Sequence, residues 1–458
     1  MLFHSWIFLL FFLAFYSVFL LTKNTWFKDP WLLICSYVFY GWWNPLYLVL
    51  IAWSTTVDFS MAALMARSRR RGLWLSLSVA NNLVLLGFFK YGRFVADNVN
   101  QFLSAMGLSY SLPHPDVLLP VGISFYVFQS LSYTIDFYRG KIDQERSFIR
   151  YATFVSLFPQ LVAGPVERAS NLLPQLRRKV TVTWEDISDG LSLFVVGLFK
   201  KVALADALAL YVDRAYDVPE QAGGTVLLVA TFAFAWQIYF DFSGYTDMAR
   251  GIGRLIGVRL MLNFNNPYLA TGLGDFWARW HISLSSWFKD YVYIPLGGNR
   301  KGVSATYRNM ALTMVISGLW HGAAWTFVIW GALHAGGRFA TRELERTVFY
   351  RTKVPRLVKQ LLVFAFVTFT WIFFRAAGLD DARLIVTRIF SDPWTDPGFP
   401  LLMLLLVLSV WLYQFIIESR FKPVLASRPV RIGLVLGMLL YLAVFSSADT
   451  QPFIYFQF

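Results

Sequence analysis

Residues 46–65 read LYLVLIAWSTTVDFSMAALM, with a single charge, Asp58. A run of this kind constrains the chain more than any motif, because a helix needs about 20 mostly apolar residues to cross a bilayer. Comparable runs lie at 4–21, 31–43, 73–89, 117–137, 191–211, 225–240, 309–334, 358–374, 401–417 and 432–445. Ambiguous stretches at 151–164 and 277–295 bring the expectation to roughly 11–13 membrane-embedded helices. Backbone groups in lipid must be satisfied within each segment or in a closed barrel, and these runs lack the alternation of barrel strands. The fold class is therefore all-α and polytopic. Only 15% of the residues are charged, against about a quarter in soluble domains.

The formal charge is +14, but it is no nucleic-acid footprint. It falls in short clusters between the runs, at 67–71, 139–150, 177–179, 338–359 and 420–431. Such loops face the cytoplasm, which puts the uncharged start outside. The last run leaves a basic loop and puts the C-terminus outside too. Two outside ends require an even number of crossings, so 277–295 is expected to cross as well. No basic residue precedes the first run and no small-residue site follows it, so it does not read as a cleaved signal peptide. Cys35 is the only cysteine, which excludes an internal disulfide and a thiolate metal cluster.

No composition break divides the chain, which reads as one membrane domain over 1–458. It has spans in 1–108, a polar core over 109–336, spans again over 337–452, and an aromatic tail at 453–458. FPQLVAGPVERASNLLPQL in the core is too polar and too interrupted by proline for lipid. Irregular backbone at membrane depth is tolerated only where it is buried in protein or lines a cavity. The block 242–300 mixes Arg, Asp, Asn and His with aromatics at no clean helical period, as expected of short, broken or interfacial helices.

Metalloprotease, nucleophile-elbow, Walker and C-x-x-C motifs are all missing. Of the five histidines, His4 and His114 sit at span ends, and His334, beside a basic stretch, reads as an interface residue. His321 stands in SGLWHGAAWTFVIWGALH, amid a stretch with no charge. Ionisable residues inside spans are rare and usually face a cavity or a partner. Gly318 and Gly322 beside it let other backbone or a narrow substrate approach. Two readings stand at this point. The ring is packed and hydrogen-bonded to a neighbouring helix, or it is a neutral imidazole, kept so by burial, that accepts a hydroxyl proton as general base. His281, in WARWHISLSSWFKDY, comes with Arg279, Lys289 and Asp290, a set suited to a phosphate-bearing donor. The same stretch also fits an interfacial helix with snorkelling cations. A His–His metal site lacks a third ligand, so no metal is expected. The tail QPFIYFQF reads either as an aromatic-belt anchor or as a segment folded back into a cavity to present the Tyr455 hydroxyl.

Three stretches, PQLVAGPVERASNLLPQ, FWARWHISLSSWFKDYVYIPLGGNR and SGLWHGAAWTFVIWG, together resemble the membrane-bound O-acyltransferase family. The resemblance is to the bacterial branch that acetylates alginate and peptidoglycan, and it is dense from about residue 122 to 336. It implies a basket of helices around a tunnel joining the two sides of the membrane, with Trp280, Gly318, Trp320 and Gly322 along it. The histidine of the family's W-H-G segment falls on His321 and its second polar position on His281. The resemblance further implies acetyl-CoA as donor on the cytoplasmic side, with no bound cofactor. Arg279, Lys289 and Asp290 are then the candidates for holding it. It implies an SGNH-hydrolase-like partner outside the bacterial inner membrane that passes the acetyl group to a polysaccharide such as alginate. A related D-alanylating branch uses a companion peptide ending F-x-Y-x-x-F. Phe453, Tyr455 and Phe458 match that tail, which makes Tyr455 an acyl-carrying candidate.

The competing classes are a polysaccharide or lipid-intermediate transporter, whose broken helices would be gates, and a scaffold recruiting an extracytoplasmic acetylase. An acyltransferase of the same family with another acceptor is a further alternative.

Overall fold

The computed structural model describes residues 1–115, 119–445 and 451–454, and among them every regular element is a helix. Five helices are long and apolar enough to cross a membrane: Tyr47–Arg67, Arg71–Ala105, Gly224–Leu255, Arg356–Arg375 and Arg428–Phe445. Two shorter apolar helices, Trp6–Thr22 and Leu401–Ile417, join them. The protein is an all-α polytopic membrane protein. Large apolar side chains such as Leu10, Trp53, Leu362 and Leu440 are exposed, as a lipid-facing surface requires. Other apolar runs are turned inward instead. The helix Ile123–Tyr138 is buried along almost its whole length, because an apolar run serves protein packing as readily as lipid contact.

The chain forms two compact units. The first comprises Met1–Leu191 and Ala249–Met261. Its helices meet on a polar hub: Asp58 accepts hydrogen bonds from Asn82 Nδ2 at 2.9–3.0 Å and from Ser78 Oγ at 2.7 Å. A buried carboxylate is tolerated because these donors satisfy it. Phe158 packs against Phe11, Phe15 and Phe39. The proline-broken segment forms two short helices, Phe158–Leu161 and Ala169–Arg177, whose surroundings are protein rather than lipid. Between them Glu167 is fully buried and accepts the Met261 N–H at 2.5 Å and the Asn171 amide at 2.7 Å. Burial pushes this carboxyl up to about 7 against those two donors.

The second unit comprises Ser192–Met248 and Leu262–Phe458. Two expectations need correction here. The run 309–334 is not one span but the meeting point of two helices, Gly302–His321 and Trp325–Leu344. The chain turns at the link 322–324 because Gly322 is extended, at φ −155° and ψ 146°. The stretch 277–295 does not cross as a helix. It holds the end of Leu273–Arg279, the helix Ile282–Phe288 and a π-helical turn, Lys289–Tyr293. Each seven-residue helix is only about 10 Å long at 1.5 Å per residue, against a core of about 30 Å. The parity argument for both termini outside loses its extra crossing.

Glycine makes the Gly302–His321 and Trp325–Leu344 pair close. A Cβ on Gly331 would stand 2.5 Å from the Met314 carbonyl oxygen and 2.9 Å from the Val315 Cα. A Cβ on Gly318 would collide with the Phe327 carbonyl, and one on Gly322 with the Phe327 ring. These glycines serve helix-to-helix approach, the usual role of small residues in membrane helices.

Candidate active site

His321 is the last residue of its helix, so its ring stands at a chain turn rather than in mid-helix. It is 4% exposed and lies against Trp320 at 4.9 Å, Phe374 at 5.2 Å and Trp330 at 5.3 Å between ring centroids. This aromatic wall keeps water from the imidazole.

His281 reaches the same place from a different element. It caps the helix Ile282–Phe288 in the left-handed region, φ 42° and ψ 55°, a conformation costly for a residue with a Cβ. Asn263 holds the turn. Its backbone carbonyl accepts the Ile282 N–H at 2.9 Å, and its side-chain oxygen accepts the Ser283 hydroxyl at 2.6 Å and N–H at 3.3 Å. His281 is fully buried, its ring 6.1 Å from Trp320. One indole thus carries both imidazoles.

A cavity of 450 Å³ lies nearby among the chain's helices, lined by residues including Ser285, Lys289, Thr313, Ser317 and Arg338 but by neither histidine. Ser285 lies one turn after His281 and Ser317 one turn before His321, so two lining residues sit one helical turn from the two histidines. Lys289 and Arg338 supply its positive charge. Arg338 also pairs with Glu345 at 3.6 Å, and its guanidinium lies over Gly274, where a Cβ would stand 3.0 Å away. On another side of His281, the Phe242 ring stands 4.6 Å off at a right angle. Phe242 touches Phe453 of the C-terminal tail at 5.9 Å.

The sequence-picked residues divide accordingly. His281, His321 and Trp320 come together, and Lys289 lines the cavity. Asp290 shares the π-helical turn with Lys289. Arg279 is engaged elsewhere, with Asp275 at 2.7 Å and with Glu418 at 2.5 Å. Trp280 is buried among Phe264, Phe276, Tyr268 and Trp371, while Gly318 and Gly322 meet Phe327. Tyr455 lies outside the described residues. His334 is not an interface residue: it is fully buried, 3.0 Å from Thr370 Oγ1 and packed on Trp330 at 4.6 Å. The helix Trp325–Leu344 continues past it, so the basic stretch from Arg338 begins as helix rather than loop.

Sequence reasoning missed Asn263, Arg338, Ser285 and Ser317. Asn263 sits in the polar run NFNNP, a usable signal for an irregular turn. Arg338 was hidden among other cations, and a serine on a helix gives no cue by itself.

The structure is thus a broken-helix membrane protein with two buried imidazoles against one indole and, one helical turn from each, a lining residue of a cavity that carries Lys289 and Arg338. The membrane-bound O-acyltransferase family model matches residues 74–379. The chain belongs to that family, and it is an O-acyltransferase. It is 42% identical to "Probable alginate O-acetylase AlgI" of Pseudomonas putida, over 85% of this chain and 80% of that one. It is 37% identical to a peptidoglycan O-acetyltransferase of Helicobacter pylori, over 82% and 76%. A teichoic acid D-alanyltransferase of Bacillus subtilis is 29% identical, over 54% and 67%.

Proposed function

We propose that this protein takes the acetyl group of acetyl-CoA at the cytoplasmic face of a bacterial inner membrane and delivers it to the outer face. There an SGNH-hydrolase-like partner uses it to O-acetylate a polysaccharide such as alginate. The observation that carries this reading is the cavity with Lys289 and Arg338, whose lining residues Ser285 and Ser317 stand one helical turn from His281 and His321. Donor phosphates pair with the two cations, and the thioester reaches inward along Ser285 and Ser317. CoA is too large and too highly charged to cross a membrane, whereas an acetyl group is small and neutral. The protein therefore has to move the group rather than the donor.

In the transfer step an acceptor hydroxyl oxygen attacks the thioester carbonyl as His321 takes its proton. The C–S bond then breaks and the CoA thiolate leaves, recovering a proton from the imidazolium. The first acceptor is the Tyr455 hydroxyl of the tail. A phenol of ordinary pKa about 10 is a good leaving group beside an alcohol, so the aryl ester passes its acetyl group on to a serine of the partner. The C-terminus then lies on the outer face, with the partner.

The test is acetyl transfer from labelled acetyl-CoA by the purified enzyme in proteoliposomes, with peptide mass mapping of the tail. The expected result is acetyl on Tyr455 in the parent and none in His321→Ala. Full transfer by correctly folded His321→Ala removes the base assignment. Transfer to the partner with Tyr455 unlabelled removes the relay.

A further inference from the structure

A cluster of charge lies in the interior of the second unit, apart from the cavity and the histidines. Lys201 stands in a π-helical turn, Lys200–Ala205, and Asp206 opens the helix Asp206–Tyr216. Asp241 sits within Gly224–Leu255. Lys201 Nζ is 2.8 Å from Asp206 Oδ1 and 2.8 Å from Asp241 Oδ1. All three side chains are buried. Two carboxylates against one ammonium leave a negative excess, and a buried charge persists only with further hydrogen-bond donors.

The C-terminal segment supplies one such donor. The Ile454 N–H donates to the second oxygen of Asp241 at 2.6 Å, while Asp206 holds the ammonium of Lys201. Lys201 Nζ lies 3.5 Å from the Pro452 carbonyl oxygen. Asp241 and Lys201 therefore address main-chain atoms of one short stretch, 452–454, and Asp206 anchors Lys201 beside it. The side chains of that stretch are buried too, with Phe453 1% and Ile454 2% exposed. The Phe453 ring packs on Tyr245 at 5.2 Å and on Phe242 at 5.9 Å, and Phe242 is the ring that stands against His281.

We infer that Asp241 and Lys201, with Asp206 holding the Lys201 ammonium, form a main-chain receptor for the C-terminal tail, which sets Phe453 against Phe242, the ring that stands beside His281. Charge-assisted hydrogen bonds to backbone N–H groups are short and directional. They set the position of the segment whatever its side chains, while the Phe242–Tyr245 surface selects an aromatic residue at 453. The three charged residues are positioning residues, because they act on the site through the tail. Their kinetic role rests on the function proposed above, but tail docking itself does not.

The experiment separates the two. Hydrogen exchange of the C-terminal peptide is followed by mass spectrometry in the full-length enzyme, its Asp241→Ala variant and its Asp206→Asn variant. Acetyl transfer is measured on the same preparations. The expected result is at least about tenfold faster exchange of the tail amides in Asp241→Ala, with the Gly302–His321 helix still protected. Transfer kcat should drop about tenfold while the KM for acetyl-CoA stays put, because the cavity of Lys289 and Arg338 is untouched. Asp241→Glu should recover part of both. Should Asp241→Ala fail to fold, Asp206→Asn, which removes a charge at constant volume, carries the same readouts. Tail exchange unchanged in the folded variants overturns the receptor, whatever happens to kcat. Faster tail exchange with unchanged kcat upholds the receptor and removes the tail relay instead.

Discussion

Replacing Gly331 with alanine tests whether the close approach of two helices sets the catalytic geometry. The added Cβ would lie 2.5 Å from the Met314 carbonyl oxygen, 2.9 Å from the Val315 Cα and 3.0 Å from the Met314 carbonyl carbon. All three are main-chain atoms of the facing helix, so no side chain can rotate away. Relief to ordinary contact distance separates the helices locally by nearly 1 Å. Trp330, the adjacent residue, is one wall of the His321 site. Overpacking of this kind costs about 1–3 kcal/mol, partly offset by up to about 1 kcal/mol from better helix propensity. The net loss is about 1–2 kcal/mol. A displacement near 1 Å at a catalytic group can lower the rate by about 100-fold, so acetyl-transfer kcat is expected to fall 10- to 100-fold. Gly336→Ala, in the same helix, is the control. Its Cβ would meet nothing within 4 Å, so stability should hold or rise by about 1 kcal/mol. The assay is a melting curve in detergent beside transfer kinetics for both variants. If Gly331→Ala behaves like Gly336→Ala in both measurements, the reasoning from backbone contact is wrong.

Three further outcomes are expected. Charge removal at Lys289 or Arg338 should raise the KM for acetyl-CoA about tenfold with little change in kcat, whereas Arg279→Gln should lower melting temperature and leave KM alone. Its guanidinium is held by Asp275 and Glu418, and donor titrations on the three variants decide the matter. Asn263→Ala should lower kcat by 10-fold or more at constant donor KM, since it releases the Ser283 bonds that fix the His281 turn; Asn263→Asp, which keeps the acceptor oxygen, should recover much of the loss. The last concerns Glu167, whose folded value of about 7 lies above its ordinary 4.5. The protonated folded form is thus the favoured one, and its stability contribution is full below about 4.5 and lost as pH rises toward 7. The parent's melting temperature should fall across that window more steeply than that of Glu167→Gln, and parallel curves would refute the assignment.

The family was legible in sequence because three long polar–aromatic stretches carry it in order. His281 and His321 stood out because an ionisable ring within apolar surroundings is rare. Their meeting on Trp320 was not legible, since residues far apart in the chain carry no cue to a shared neighbour. Hydropathy also misled at 309–334, where one apolar run conceals a turn at Gly322 that only the facing helix explains. At Arg279 the sequence showed a cation but not the distant Glu418 that engages it.

Alone, the sequence determined the solvent of this protein and its class. Long uncharged runs force helices into lipid, because nothing else satisfies their backbone there. Tertiary structure decided which of those helices turn inward, which residues line the cavity, and that the tail's main chain meets Lys201 and Asp241. Those outcomes rest on which distant residues come into contact: backbone hydrogen bonding makes a helix locally, whereas packing and charge pairing are settled only when the elements meet.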